Sequence, residues 1–166
     1  VDWQPMTDYF LQHSLPERKE IRRVQFTTIS PGISNRSHWV NVDAQQQSLR
    51  PSSIDITYDP QQKRFQGKTV NISRLALDLG HLEPSDTLHV MLDDQKLENL
   101  RWPDADAKSG IRELWLERSE DKWQLLAQRS PAMKNAQRCG PFKSAFNNRV
   151  LFVYGTTGDA VENNWS

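Results

Sequence analysis

Four histidines, one cysteine and six tryptophans are the residues of this 166-residue chain whose chemistry reaches beyond packing. Serine hydrolysis needs a nucleophile, a base and an acid that orients the base. Serines and histidines are present, but no Gly-x-Ser-x-Gly turn occurs and no local signature joins them. His13, His38, His81 and His89 lack metal-type spacing such as His-x-x-x-His. The single cysteine, Cys139, excludes an internal disulfide framework and a multi-cysteine zinc site. Asp104-Ala105-Asp106-Ala107-Lys108-Ser109-Gly110 has the look of a calcium loop. An EF-hand loop needs Gly at its sixth position and Glu at its twelfth. Here Gly110 falls seventh and Trp115 twelfth, so the segment reads as a solvated acidic loop. No catalytic residue, metal site or cofactor is therefore expected.

Two features remain that could bind something. Gly155-Thr156-Thr157-Gly158 follows an apolar run and could bring backbone N–H groups to an anion at a helix N-terminus. It lacks the full Gly-x-Gly-x-x-Gly and has no Walker lysine, so a tight strand-to-helix turn is the simpler reading. The tryptophans are many for the length. Trp39, Trp115 and Trp123 could stack on sugar rings if they stand exposed on a sheet. Core or domain-interface packing is the competing reading. Trp115 lies between Leu114 and Leu116, so it and they face opposite sides of their strand.

Composition narrows the classes further. The 21 basic and 21 acidic side chains leave a formal charge of +0, whereas a nucleic-acid binder usually carries a basic excess. No apolar run approaches the roughly 20 residues of a membrane span. The length suits one domain, or one plus a fragment of a second. The chain opens on Val1 and stops at Asn163-Asn164-Trp165-Ser166, just after what reads as a helix start, so both ends read as cuts in a longer protein.

The elements that must position any site follow from periodicity. Pro5 to His13 reads as a short helix with Met6, Tyr9, Phe10 and His13 on one face. Pro16 lies in the polar joint that ends it. From Ile21 the period becomes two. Val24 and Phe26, residues 38–42, Ile54 to Tyr58, Lys68 to Ile72, Arg74 to Leu79, Leu88 to Leu92, Leu114 and Leu116, and Trp123 and Leu125 mark seven or eight short strands. Turn signals stand at Ser30-Pro31-Gly32, Asp59 to Gln62 and Asp93-Asp94. The pattern predicts a mainly β chain, an antiparallel β-sandwich of immunoglobulin/fibronectin-like type. Arg149 to Tyr154 is a continuous apolar run and reads as a buried strand opening an α/β region. The expected organisation is an end helix and linker over 1–19, the sandwich over 20–130, and a linker with a strand–helix fragment over 131–166.

Several segments also resemble a family. They are Val1-Asp2-Trp3-Gln4-Pro5-Met6 through Tyr9-Phe10-Leu11, Arg23-Val24-Gln25-Phe26-Thr27-Thr28, Ser37-His38-Trp39-Val40, Gly140-Pro141-Phe142-Lys143, and Phe152-Val153-Tyr154-Gly155-Thr156. Together they resemble the multidomain prolyl-oligopeptidase-like α/β-hydrolases of bacteria, in the region after the catalytic domain. The resemblance implies that the nucleophilic serine and catalytic histidine lie before Val1, so no catalytic residue is carried over. It implies an exported parent, extracellular or periplasmic. It implies a non-catalytic scaffold that docks on the catalytic domain of the same parent chain. Met6, Tyr9, Phe10, Val150 and Phe152 are then the expected domain contacts, with self-association when they stand free. The alternative is a carbohydrate- or surface-binding module that uses Trp39, Trp115 and Trp123. Asn35, Asn71 and Asn164 open Asn-x-Ser/Thr sequons, which matter only in a glycosylating host.

Overall fold

The computed structural model describes residues 3–127, apart from 15, 85, 86 and 108. Val150, Phe152 and the segment expected over 131–166 lie outside the described residues. The chain is mainly β, with two mostly antiparallel sheets and one short helix. The helix is α1 (Gln4–Gln12), followed by a 3-10 turn at Arg18–Glu20. The strands are β1 (Arg23–Thr28), β2 (Arg36–Ser37), β3 (Val40–Gln45), β4 (Ser52–Asp59), β5 (Arg64–Val70), β6 (Ile72–Asp78), β7 (Leu88–Leu92), β8 (Gln95–Leu100), β9 (Glu113–Ser119) and β10 (Lys122–Leu125). The first sheet runs β1-β4-β5-β7-β8 and the second β10-β9-β6-β3-β2.

Alternation builds the core. In β4, Ser52, Ile54, Ile56 and Tyr58 are buried, while Ser53, Asp55, Thr57 and Asp59 face outward. Leu88, Val90 and Leu92 of β7 join them. From the second sheet come Val40, Val42, Leu75, Leu77, Leu114 and Leu116, and all belong to one apolar cluster. Fully burying one such side chain contributes roughly 1.5–3 kcal/mol.

The structure departs from the sequence expectation in four places. The strand expected over Lys68 to Ile72 breaks at Asn71, so that Ile72 opens β6 in the other sheet. Among the described residues ten strands form rather than seven or eight. The extra ones are β2, two residues long, and β8, whose polar sequence puts only Leu97 and Leu100 against the core. The pattern is not wholly antiparallel, because β5 and β7 pair parallel. The cause is β6, which lies in the other sheet. The chain leaves β5, runs back along the second sheet and re-enters the first in its earlier direction. Fourth, the strand expected over 38–42 begins only at Val40. His38 and Trp39 form the turn between β2 and β3, with His38 at φ 48°.

The expected turns at Asp59 to Gln62 and Asp93-Asp94 do form, joining β4 to β5 and β7 to β8. Asp93 and Asp94 have φ of 50° and 68°, and Glu120 and Asp121 between β9 and β10 have 49° and 62°. Two left-handed residues give the turn whose twist matches paired strands. Asp93 then ties the two sheets together. It accepts from Thr69 N at 2.7 Å, from Thr69 Oγ1 at 2.6 Å and from Trp123 Nε1 at 2.9 Å, and it pairs with Arg118. The Gln95 side chain donates to Trp123 O and accepts from Trp123 N, both at 2.6 Å.

Asn71 governs the crossing between sheets. It is the single residue between β5 and β6, at φ 57°. Its Nδ2 donates to Gln47 O at 2.9 Å and to Ser52 Oγ at 3.1 Å, and its Oδ1 accepts from Gln47 N at 2.7 Å. It thus pins the neighbouring crossing, from β3 to β4. A sequon glycan on Asn71 would displace these bonds. Asn35 likewise uses its Nδ2, donating to Asn41 Oδ1 at 2.9 Å. Asn71→Gly and Asn71→Ala both remove the side-chain bonds, but only alanine resists the left-handed backbone, by roughly 1–2 kcal/mol. Urea denaturation is expected to rank Asn71→Ala below Asn71→Gly by about 1 kcal/mol. Equal midpoints would show that backbone conformation is not what selects asparagine here.

Candidate functional site

The first candidate surface is α1. Pro5 starts it, yet no side chain caps it, its first turn has no acid and its last turn no base. None of its residues is buried. Met6 is 46% exposed, Tyr9 57%, Phe10 64% and Leu11 80%, with Trp3 just before it at 63%. Tyr9 stacks on His13 at 4.0 Å and meets Phe10 edge-on at 6.0 Å. A helix of 9 residues is shorter than the roughly 12–15 at which even good isolated helices become stable in water. Its apolar face lacks a counterpart among the described residues.

The tryptophans divide differently from the expectation. Trp39 is fully buried: its ring packs on Phe65 at 5.2 Å and its Nε1 donates to Ile21 O at 2.8 Å. Trp123 is also buried, under Arg118 at 5.0 Å, with its Nε1 spent on Asp93. Neither offers a ring face to a ligand, which corrects the stacking role considered for both. A large indole on an inward strand position or a core-facing turn gains more by burial than by exposure. Trp115 alone of the three lies on an outer face, that of the second sheet, and is half-buried. It stands opposite Ala76, and Ala76 opposite Asn41. Ion pairs surround this row: Arg74 with Asp43 at 2.5 Å, Arg36 with Glu113 at 2.7 Å, and Arg18 with Asp78 at 2.6 Å.

A second candidate surface lies on the outer face of the first sheet. Register sets Gln25 beside Asp55 and Asp55 beside Lys68; the next row is Thr27, Ser53 and Val70. These six side chains line an open groove of about 450 Å³. Arg23 donates to both Asp55 oxygens, at 2.8 and 2.6 Å, and Gln25 Nε2 adds a bond of 3.0 Å. The Arg23 hydrogen bond is the main reason that the Asp55 carboxyl sits at about 2 rather than 3.8. Sequence reading missed this groove. It saw only the polar half of three alternating strands, and which polar residues become neighbours is a matter of register.

His81 is a partly buried imidazole. It lies parallel to Trp39 at 6.3 Å, and its buried Nδ1 has no hydrogen-bond partner among the described residues. Burial, then the Arg18 cation, holds its pKa below the ordinary 6.5, with Arg22 adding to this and Asp78 opposing it. Among the described residues no three His, Cys, Asp or Glu side chains gather as a metal site, and no helix is long and apolar enough to cross a membrane.

Compared with known protein families, with curated proteins and with solved structures, the chain matches none.

The His81 geometry sets a pH dependence. Folding favours the neutral ring, so the unfolded chain binds the proton first as pH falls. The stability that depends on neutral His81 is complete above 6.5 and declines as pH drops below it. Between about pH 7.5 and pH 5.5 the melting temperature of the protein is expected to fall more than that of His81→Gln. Parallel curves would mean that His81 does not carry this dependence.

Proposed function

We propose that this chain is a non-catalytic docking domain of a larger hydrolase of the prolyl-oligopeptidase-like kind, seated on the catalytic domain of the same parent. One observation carries the reading: α1 presents Met6, Tyr9, Phe10 and Leu11 to solvent and buries nothing. A nine-residue uncapped helix of that composition gains its stability from a surface it packs on. The sequence resemblance supplies the candidate for that surface, a catalytic domain whose terminal helix this would be. The two sheets over one core then act as the rigid body that holds the helix at the catalytic domain and shields the entrance to its active site. The immunoglobulin/fibronectin-like description belongs to this proposal. The shared core supports it, and the parallel β5–β7 pair is a departure from that pattern.

Of the three tryptophans named for the competing sugar-stacking module, Trp39 and Trp123 lie in the core, which leaves half-buried Trp115. The docking reading therefore has the stronger surface.

The test is calorimetric titration of the purified chain against the separately expressed catalytic domain of its parent. Micromolar or tighter binding is expected, and the Met6→Ser/Tyr9→Ser/Phe10→Ser variant is expected to weaken it at least about tenfold, or 1.4 kcal/mol. None of the three is buried, so the variant keeps the same far-ultraviolet spectrum in the β region. Sedimentation of the chain alone should show concentration-dependent self-association that the same variant abolishes. An absence of heat and of co-elution with the catalytic domain would overturn the proposal.

A further inference from the structure

The groove on the outer face of the first sheet is separate from the docking helix. We infer that it is a binding site for a neutral polyhydroxylated chain, such as a polysaccharide segment, laid along Gln25, Asp55 and Lys68 without a stacking tryptophan.

The inventory of polar groups argues for hydroxyls. The Asp55 carboxylate is ionised and fixed. Its Oδ2 already takes bonds from Arg23 and Gln25, while its Oδ1 takes one, from Arg23 Nε, and keeps a second lone pair. Arg23 and Gln25 retain N–H donors beyond those spent on Asp55, and Gln25 Oε1 is an acceptor. The Thr27 and Ser53 hydroxyls donate and accept, and neither they nor the Lys68 ammonium bond to a described residue. A vicinal diol donates through one oxygen and accepts at the next. A fixed acceptor flanked by donors and by hydroxyls matches that alternation. A simple anion would find Asp55 in its way, and a simple cation would find Arg23 and Lys68.

Shape and rigidity agree. The groove has a volume of about 450 Å³ and is open to solvent. Enclosed sites bury most of a compact ligand. An open trough instead suits a chain that passes through and stays partly hydrated. Val70, 60% exposed beside Ser53, gives the C–H face of a sugar ring an apolar ledge. The floor is stiff because β4 is hydrogen-bonded to β1 on one side and β5 on the other. Gly67 lets β5 lie close behind Asp55, since a Cβ there would meet Asp55 O at 2.1 Å.

The experiment is a titration of the isotope-labelled chain, followed by amide NMR, with four neutral oligosaccharides: cellohexaose, laminarihexaose, xylohexaose and mannohexaose. At least one is expected to shift the amides of Gln25, Thr27, Ser53, Asp55 and Lys68. Lys68→Ala and Ser53→Ala, neither of which removes a hydrogen bond within the fold, should each weaken it roughly fivefold. Trp115→Ala on the other sheet should leave the affinity unchanged, and added salt should matter little. No shift with any of the four at about 10 mM, or shifts centred elsewhere, would overturn the inference. So would binding of dextran sulfate alone, which would mark Lys68 as a plain cationic spot. These outcomes are independent of whether α1 docks on a catalytic domain.

Discussion

The contact between the two sheets is a single layer of apolar side chains, and the rest of the molecule is arranged to let that layer close. Each strand supplies it from one face, so Ile54, Ile56 and Tyr58 meet Leu75, Leu77, Leu114 and Leu116 across it. A chain that builds both layers must cross between them, and each crossing breaks a ladder of backbone bonds. Asn71 resolves two crossings at once. Its left-handed backbone turns the chain from β5 to β6, and its amide ties down the 46–51 connection beside it. Trp39 fills the layer from a turn rather than a strand, and its indole N–H is satisfied by Ile21 O. Burying that N–H without a partner would have cost about 1–3 kcal/mol.

Polar groups close the structure where apolar ones do not reach. Asp93 collects Thr69, Arg118 and Trp123, and so couples the β7–β8 hairpin of one sheet to the β9–β10 hairpin of the other. On the outer face of the second sheet, Arg74 and Asp43 form a buried pair, with Glu117 at 3.4 Å from Arg74. Such a pair contributes little net stability relative to apolar residues of the same size, but losing one partner strands a buried charge. These clusters therefore read as fixing geometry rather than adding stability.

The two candidate surfaces follow from what this frame leaves outside. α1 presents an apolar face and buries none of its residues, so its proposed role is to pack on another surface. The groove on the first sheet is polar and rigid, so its chemistry is that of hydrogen bonding to something polar. The first supports a docking domain and the second a ligand that keeps some of its water. They use different residues and place no demand on each other.

By itself the sequence determined the strand-rich class, the apolar face of α1 and most turns, because these depend on local periodicity and on which residues tolerate left-handed backbone. The alternation of Ile54, Ile56 and Tyr58 and the Asp93-Asp94 turn were legible for that reason. β8 was not legible, because an edge strand needs only Leu97 and Leu100 inward and can be polar elsewhere. Neither was the parallel pairing of β5 with β7, which depends on β6 lying in the other sheet. The sequence presented Trp39, Trp115 and Trp123 as equals; only the fold sent two of them inward, since burial depends on which layer lies opposite. Gln25, Asp55 and Lys68 are separated by 30 and 13 residues in the chain. Register alone makes them neighbours, and no local pattern encodes register between strands so far apart.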